Sequence, residues 1–354
     1  MRFEPLRERV FDLVGLPTET VMRPARAMPR LPIDGLALVA PESLRDVPRD
    51  APRFVAVADG NRSAILPDVR VEHEGRSWIA SVKGVGAWMP LFEGELGARR
   101  VHGESWMGEA PFGGQGEAGA RTAIEVSSVD LGGAAICPLT SVVAVPERAI
   151  DRESFWYRKH RGPVVAEHRL VPSDVRVFHG SSRTLGRDPI AALAALGVDG
   201  IAALDAFLDR LLASGVALLT LAARSARMRD GVIKGLDYDD AWLDKDAIVA
   251  PDGTLHFADL ETLEWRALSE ARVTRQLGRN HYELFSIVDR LLDVRDVWSA
   301  RTSDRRMRRE SIVTRLELAL APDRFVRPLV SPDGLDLVVA PRSGPSFTLR
   351  LVDR

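Results

Sequence analysis

Cysteine is almost missing from this chain: Cys137 stands alone among 354 residues. One thiol can close no internal disulfide and build no cysteine-rich zinc site, which points to a reducing compartment. Long apolar runs are missing too. The most apolar stretch, Val216 to Ala223 (VALLTLAA), falls far short of the ~20 residues a membrane-spanning helix needs. No membrane is therefore expected as a partner. Neither sign of charge is in excess: Lys plus Arg is 48, Asp plus Glu is 50, and the formal net charge is -2. That balance leaves no footprint for nucleic acid. The seven histidines, His73, His102, His160, His168, His179, His256 and His281, are scattered with no HxH or HExxH spacing, so zinc has little support. A GxSxG nucleophile elbow is absent as well. The opening residues MRFEPLRERVFDLVGL carry Glu4, Glu8 and Asp12 where a signal peptide would carry an apolar core. The expectation is a cytoplasmic protein.

What is present suffices for a sizeable core, with 45% hydrophobic and 28% charged residues. Residues 4–14 read as a short amphipathic helix, followed by a loop rich in Pro and Arg. From about Phe54 the texture changes: FVAVAD, RVEHEG and WIASVKGVG have the β-branched content and short turns of strands. A glycine-dense stretch leads into a helix over 117–128, and CPLTSVVAV and HRLVPSDVRVF read as strands again. After Arg187 apolar residues recur at three- and four-residue spacing, as in helices. Residues 266–296 and 304–320 read as helices, and the end as a small strand unit with an SPDG turn. The order is that of an α+β fold rather than alternating βαβ units. Four parts are expected: an extension over 1–50, a strand-rich lobe over 51–182, a helical lobe over 183–322, and a β unit over 323–354.

The strongest local pattern is DYDDAWLDKDAIVAPDGTLHFADLETLEW, which gathers Asp237, Asp239, Asp240, Asp244, Asp246 and Asp259. Ala247-Ile248-Val249 leads through the turn Pro251-Asp252-Gly253 to a second strand ending before Asp259. The residue entering the first strand of a hairpin and the one leaving the second lie at the same end. Asp246 and Asp259, 13 positions apart, can therefore meet. Two converging carboxylates favour a cation between them, and magnesium held by carboxylates and nucleotide phosphates is the usual solution. The plainer reading is a solvated acidic turn.

Lys83 ends the strand Ile79-Ala80-Ser81-Val82-Lys83, where an ammonium can reach nucleotide phosphates. An exposed strand lysine is the bland alternative. Glu117 opens the following helix and Glu125 lies two turns on. The sequence Gly114-Gln115-Gly116-Glu117-Ala118-Gly119 is a literal GxGxxG, but the segment before it is a poor strand, so a surface loop is preferred to a dinucleotide fingerprint.

These segments resemble the protein-kinase-like superfamily, in which a catalytic loop ends in a metal-binding Asn and a short hairpin leads to a metal-binding Asp. The resemblance implies a two-lobed kinase-like fold and a site for ATP and Mg2+. It assigns Asp246 and Asp259 to the metal, Lys83 to the phosphates, and Glu117 or Glu125 to orienting Lys83. No His-Arg-Asp triplet precedes Asp246, and the position five before it is Ala241. Asp240 or Asp244 would have to act as base. The strand with Lys83-Gly84-Val85-Gly86, the helix after it, and Pro138-Leu139-Thr140-Ser141 also look like selenoprotein O, an atypical kinase-fold family that transfers AMP to protein side chains. The implied activity is transfer of a phosphoryl or AMP group from nucleotide to an acceptor, protein or small molecule, that the sequence does not identify. A pseudokinase-like binding or scaffold protein is the alternative.

Overall fold

β-branched and small apolar residues alternating along FVAVAD, SAILPDV and SWIASVK favour extended backbone with one face turned to a core. The computed structural model describes residues 10–39, 41, 44, 46–59, 63–85, 87–88, 100–101, 115–149, 163–178, 183–238, 246–331 and 334–353. It is a mixed α+β protein: a large antiparallel sheet in the N-terminal half, with helices mostly in the C-terminal half beside small sheets. The chain divides into two units. One holds the residues up to Ser128 and Cys137–Asp174; the other holds Val129–Ile136, a stretch beginning at Val175, and the chain from Arg183 onward.

The first unit is built on eight strands. They are β1 (Val10–Pro17), β2 (Thr20–Met22), β3 (Leu36–Val39), β4 (Arg53–Asp59), β5 (Ser63–His73), β6 (Arg76–Lys83), β7 (Leu139–Ala144) and β8 (Val164–Val171). Their order across the sheet is β2-β7-β8-β6-β5-β4-β1-β3, with Gln115–Gly116 paired to the end of β8. Helix α1 (Glu117–Ser127) lies between β6 and β7 in sequence and packs on β7 and β8. One sheet face, with Ala64, Leu66, Ala80, Val82, Ala166 and Leu170, buries an apolar cluster that includes Leu13, Ile33 and Leu38.

Of residues 4–14, read from sequence as an amphipathic helix, 4–9 lie outside the described residues and Val10 onward is not helical. Val10 to Pro17 is a strand paired with β4 on one side and β3 on the other. A short amphipathic pattern is weakly committed to either state, and two ladders of backbone hydrogen bonds outweigh its helix propensity. The stretch read as an extension thus supplies β1 and β3 at one edge of the sheet and β2 at the other.

The second unit carries α2 (Pro189–Ala195), α3 (Ile201–Leu219), α4 (Leu221–Arg224), α5 (Glu270–Ser299) and α6 (Arg305–Leu320). Asp188, Ser269 and Asp304 cap three of these by accepting from backbone N–H groups of Ala191, Arg272 and Met307. Arg295 and Arg315 both reach Asp205 on α3, and Arg315 also holds Asp209, so ion pairs tie α3 to α5 and α6. Besides Ala135–Ile136, the strands of this unit are β9 (Val175–Arg176), β10 (Arg183–Thr184), β11 (Arg227–Arg229), β12 (Val232–Tyr238), β13 (Ala247–Val249), β14 (Leu255–Phe257), β15 (Leu263–Ala267), β16 (Val326–Ser331), β17 (Gly334–Val339) and β18 (Phe347–Asp353). The last three form the small C-terminal sheet the sequence suggests. Among the described residues no helix is long and apolar enough to cross a membrane.

Candidate functional site

In the first unit the sheet face opposite the apolar cluster carries charge. Successive side chains on a strand point to opposite faces, so Ser81 and Lys83 share one face of β6 while Ala80 and Val82 share the other. Lys83 lies opposite Ser63 on β5 and opposite Glu167 on β8. Ser63 in turn lies opposite Asp59 on β4, and Ser81 opposite Arg169. The result is a polar patch across four strands: Asp59, Ser63, Lys83 and Glu167 in one row, Ser81 and Arg169 in the next. All are buried, Lys83 at 4% exposure and Glu167 at 2%. Arg169 donates from Nη2 to Ser63 Oγ at 2.9 Å and from Nε to Ser81 Oγ at 3.5 Å, with Asp59 at 3.9 Å. Two cations and two carboxylates make the patch formally neutral.

Gly84, directly after the lysine, has φ +101, and a Cβ there would lie 3.0 Å from the carbonyl oxygen of Val165. A glycine at this point lets the chain leave β6 hard against β8. On the apolar side of β8, His168 lies against Ser141, with Nδ1 to Oγ at 3.1 Å. Burial pushes its pKa down to about 4, aided by Arg23 and opposed by Asp34 and a backbone bond to Leu36.

In the second unit, β13 and β14 form the anticipated hairpin, with Ala247 opposite Phe257 and Val249 opposite Leu255. Asp252 Oδ1 accepts from Thr254 N at 2.9 Å in the turn. Gly253 has φ +93, and a Cβ there would stand 2.4 Å from the carbonyl oxygen of Phe207 on α3. The hairpin is therefore pressed onto α3 at a position only glycine fits. At the open end Ala258 N donates to the carbonyl oxygen of Asp246 at 2.7 Å, so Asp246 and Asp259 leave the same end of the hairpin. Asp246 is buried and Asp259 partly so.

Tyr238, at the end of β12, stacks on Phe257 with ring centroids 5.6 Å apart. Burial raises its phenol pKa, and the negative charges of Asp237, Glu283 and Asp246 raise it further. Tyr238 is therefore a neutral hydroxyl beside an acidic cluster. Arg272 Nη1 donates to Asp237 Oδ2 at 2.5 Å and anchors the cluster to α5.

Of the residues singled out from sequence, Asp246 and Asp259 are brought together and Lys83 sits in the charged patch of the sheet. Glu117 is the first residue of α1, and its Oε1 accepts from Arg121 Nη2 at 2.6 Å. Glu125 lies on the exposed side of α1. Asp240 and Asp244 lie outside the described residues. Sequence reasoning passes over Asp59, Glu167 and Arg169. The available signal is the pattern Glu167-His168-Arg169 inside the apolar strand VVAEHRLV, matched by Ser81-Val82-Lys83. Among the described residues no group of three or more His, Cys, Asp or Glu side chains is arranged to hold a metal. Asp246 and Asp259, which leave the same end of the hairpin, form no such group. No protein-family model matches the chain, and no curated protein is significantly similar to it in sequence.

Proposed function

We propose that this chain is an ATP- and magnesium-dependent transferase of protein-kinase-like fold, moving a phosphoryl or AMP group to an acceptor oxygen. The observation that carries the reading is the hairpin end from which Asp246 and Asp259 emerge, tied by the Ala258–Asp246 backbone bond. Further support comes from Lys83. It ends β6, the third strand counted from β4, and after short strands at Ala87–Trp88, Arg100–Val101 and Gln115–Gly116 helix α1 follows before β7. In protein kinases the phosphate-binding lysine occupies the third strand and a helix follows.

On this reading Asp246 and Asp259 hold magnesium, which supplies charge neutralisation at the phosphates. Lys83 is the point charge that holds the non-transferred phosphates. Asp240 or Asp244 takes the proton from the acceptor hydroxyl as its oxygen bonds to phosphorus and the bond to the departing nucleotide or pyrophosphate breaks. Positioning and charge stabilisation dominate such transfers, so a single weak base suffices. The acceptor, protein or small molecule, is chosen by loops on the scaffold.

Thermal unfolding with and without ATP plus magnesium tests this. A ligand at 100 times its dissociation constant adds about 2.7 kcal/mol to a folded state that alone binds it. The expected result is a metal-dependent rise in Tm that Asp259→Ala abolishes while its Tm without ligand stays close to wild type. No rise in the wild type overturns the reading. A second reading, a scaffold without turnover, is favoured by the formal neutrality of the patch around Lys83 and by the missing His-Arg-Asp triplet. Nucleotide binding with no label passing from ATP to any acceptor selects it.

A further inference from the structure

We propose that Arg26, in the loop after β2, and His73, at the tip of the β5–β6 hairpin, form a binding site for a phosphate group, inorganic or carried on a small phosphomonoester. Glu74 stands in for that anion. The site does not rest on the nucleotide reading above. It lies at the start of β6, whereas Lys83 ends that strand, about 23 Å away at the rise of an extended chain.

β5 and β6 are joined by Glu74 and Gly75, with His73 opposite Arg76. Both loop residues have positive φ, 52 for Glu74 and 71 for Gly75. Such a loop favours Asn-Gly or Asp-Gly, and a glutamate in the left-handed region is uncommon. The long side chain at this position has a visible consequence. Glu74 Oε1 lies 3.9 Å from Arg26 Nη1 and 3.7 Å from His73 Nε2. Both distances exceed that of a hydrogen bond, so one carboxylate oxygen faces two nitrogen groups and bonds neither. Arg26 Nε and His73 Nε2 are buried and have no hydrogen-bond partner among the described residues. The Glu74 side chain is 66% exposed, so it can swing aside without disturbing the core.

Charge at the hairpin tip exceeds what Glu74 balances. Arg76 stands opposite His73 on the same face, and no hydrogen bond or ion pair engages it among the described residues. Glu72 and Ser77, the next pair along, belong to the other face. Arg26 and Arg76 against Glu74 leave one positive charge even with His73 neutral. A guanidinium fork and an imidazole N–H, too far apart for one carboxylate oxygen, suit a ligand that offers several. A phosphate group brings three or more acceptor oxygens and a charge of about −1.5 to −2 at pH 7. It can take the Arg26 fork on one side and His73 on another oxygen, and it carries more charge than the carboxylate it displaces.

The chain makes the test practicable, since it has seven histidines. Histidine-selective 13C labelling gives seven ring signals, and His73→Gln identifies the one of interest. The wild type is titrated at about pH 7 and constant ionic strength with inorganic phosphate, and separately with glycerol phosphate. A saturable movement of the His73 signal is expected. Arg26→Gln should weaken the binding about tenfold or more, as loss of a hydrogen bond between charged groups implies. Glu74→Gln, which removes the competing carboxylate, should tighten it about two- to fivefold, the range of an exposed ion pair. Tighter binding of the ester assigns the site to a small phosphorylated molecule, and equal or weaker binding assigns it to free phosphate; either result upholds the site. No saturable movement in wild type and Glu74→Gln overturns the proposal, as does a movement that Arg26→Gln leaves unchanged. Should Arg26→Gln disturb the other six signals, Arg26→Lys decides: it keeps the charge but loses the fork, and an unchanged affinity there counts against the site. Phosphate held at Lys83 alone would leave the His73 signal in place, so failure of this site and failure of the nucleotide reading are told apart.

Discussion

Lys83 is one of four lysines in a chain whose 48 cationic lysine and arginine side chains are otherwise arginine. Lysine offers a compact charge on a flexible stem, where arginine offers a fixed planar fork. In the buried patch the two are used differently. Arg169 spreads its fork over Ser63, Ser81 and Asp59, while Lys83 ends its strand with a single point charge. In a buried patch with as many carboxylates as cations, removing one charge leaves another uncompensated and costs about 3–5 kcal/mol, and removing one of each sign in favour of apolar groups costs far less. Lys83→Met is therefore expected to lower unfolding stability by that amount in a urea titration. The double variant Lys83→Met with Glu167→Leu should recover most of it, and strictly additive losses would separate the two residues. His168, on the opposite face of the same strand, sets the response to acid. The unfolded chain takes a proton at this imidazole near pH 6.5, whereas the folded chain refuses it until about pH 4. Between those values the unfolded state binds more protons, so stability present above pH 6.5 is lost as pH falls, at up to about 1.4 kcal/mol per unit. Asp34 moderates the loss and Arg23 adds to it. His168→Gln should flatten the acid limb of a stability–pH curve from 6.5 to 4, and an unchanged slope would place the acid sensitivity elsewhere.

Among the elements, the hairpin β13–β14 is where sequence and structure agree most closely. Its turn has the strongest local chemistry in the chain: Asp252 bonding Thr254 N, then Gly253 at positive φ. Such signals act within a few residues and can be read without knowing the fold. The charged patch is the opposite case. Glu167 and Arg169 at alternate positions of a strand look like a solvated face, and the side chains that make them a buried one come from far along the chain, Arg169 meeting Ser81 at a separation of 88 residues and Ser63 at 106. Likewise β1 is a strand because β3 and β4 flank it, which its own residues do not announce. The hairpin also gives a sharp element-scale test. Gly253→Ala would combine backbone strain with a clash against the Phe207 carbonyl. It should destabilise the protein by at least about 1 kcal/mol, the excess over ordinary Gly→Ala effects being the mark of an incompatible site. Circular dichroism melting reads the loss; a neutral or stabilising effect would mean that the hairpin does not press on α3.

At the level of the whole molecule, the chain is shared between two units in an interleaved way. Val129–Ile136 leaves the first unit after α1 and contributes Ala135–Ile136 to the sheet of the second, paired in parallel with β14, before β7 returns to the first. Arg224 of α4 fixes that excursion, donating to the Gly132 carbonyl at 2.8 Å while its other arm holds Asp323 at 2.5 Å. Each unit nevertheless buries its own core: Leu13, Leu66, Val82 and Leu170 in one, Leu204, Phe207, Leu211 and Leu284 in the other. Separate cores allow separate unfolding, since cooperativity follows shared packing rather than chain continuity. Closing the loop that joins Ile136 to Phe257 costs only slowly more as the intervening chain loosens, because loop entropy grows with the logarithm of length. Scanning calorimetry should therefore resolve two transitions. Lys83→Met should lower one and Gly253→Ala the other, each leaving its neighbour within a few degrees. If both transitions fall together in either variant, the Val129–Ile136 excursion couples the units more tightly than loop closure predicts. Arg224→Ala, which frees that excursion from α4, should then restore their independence.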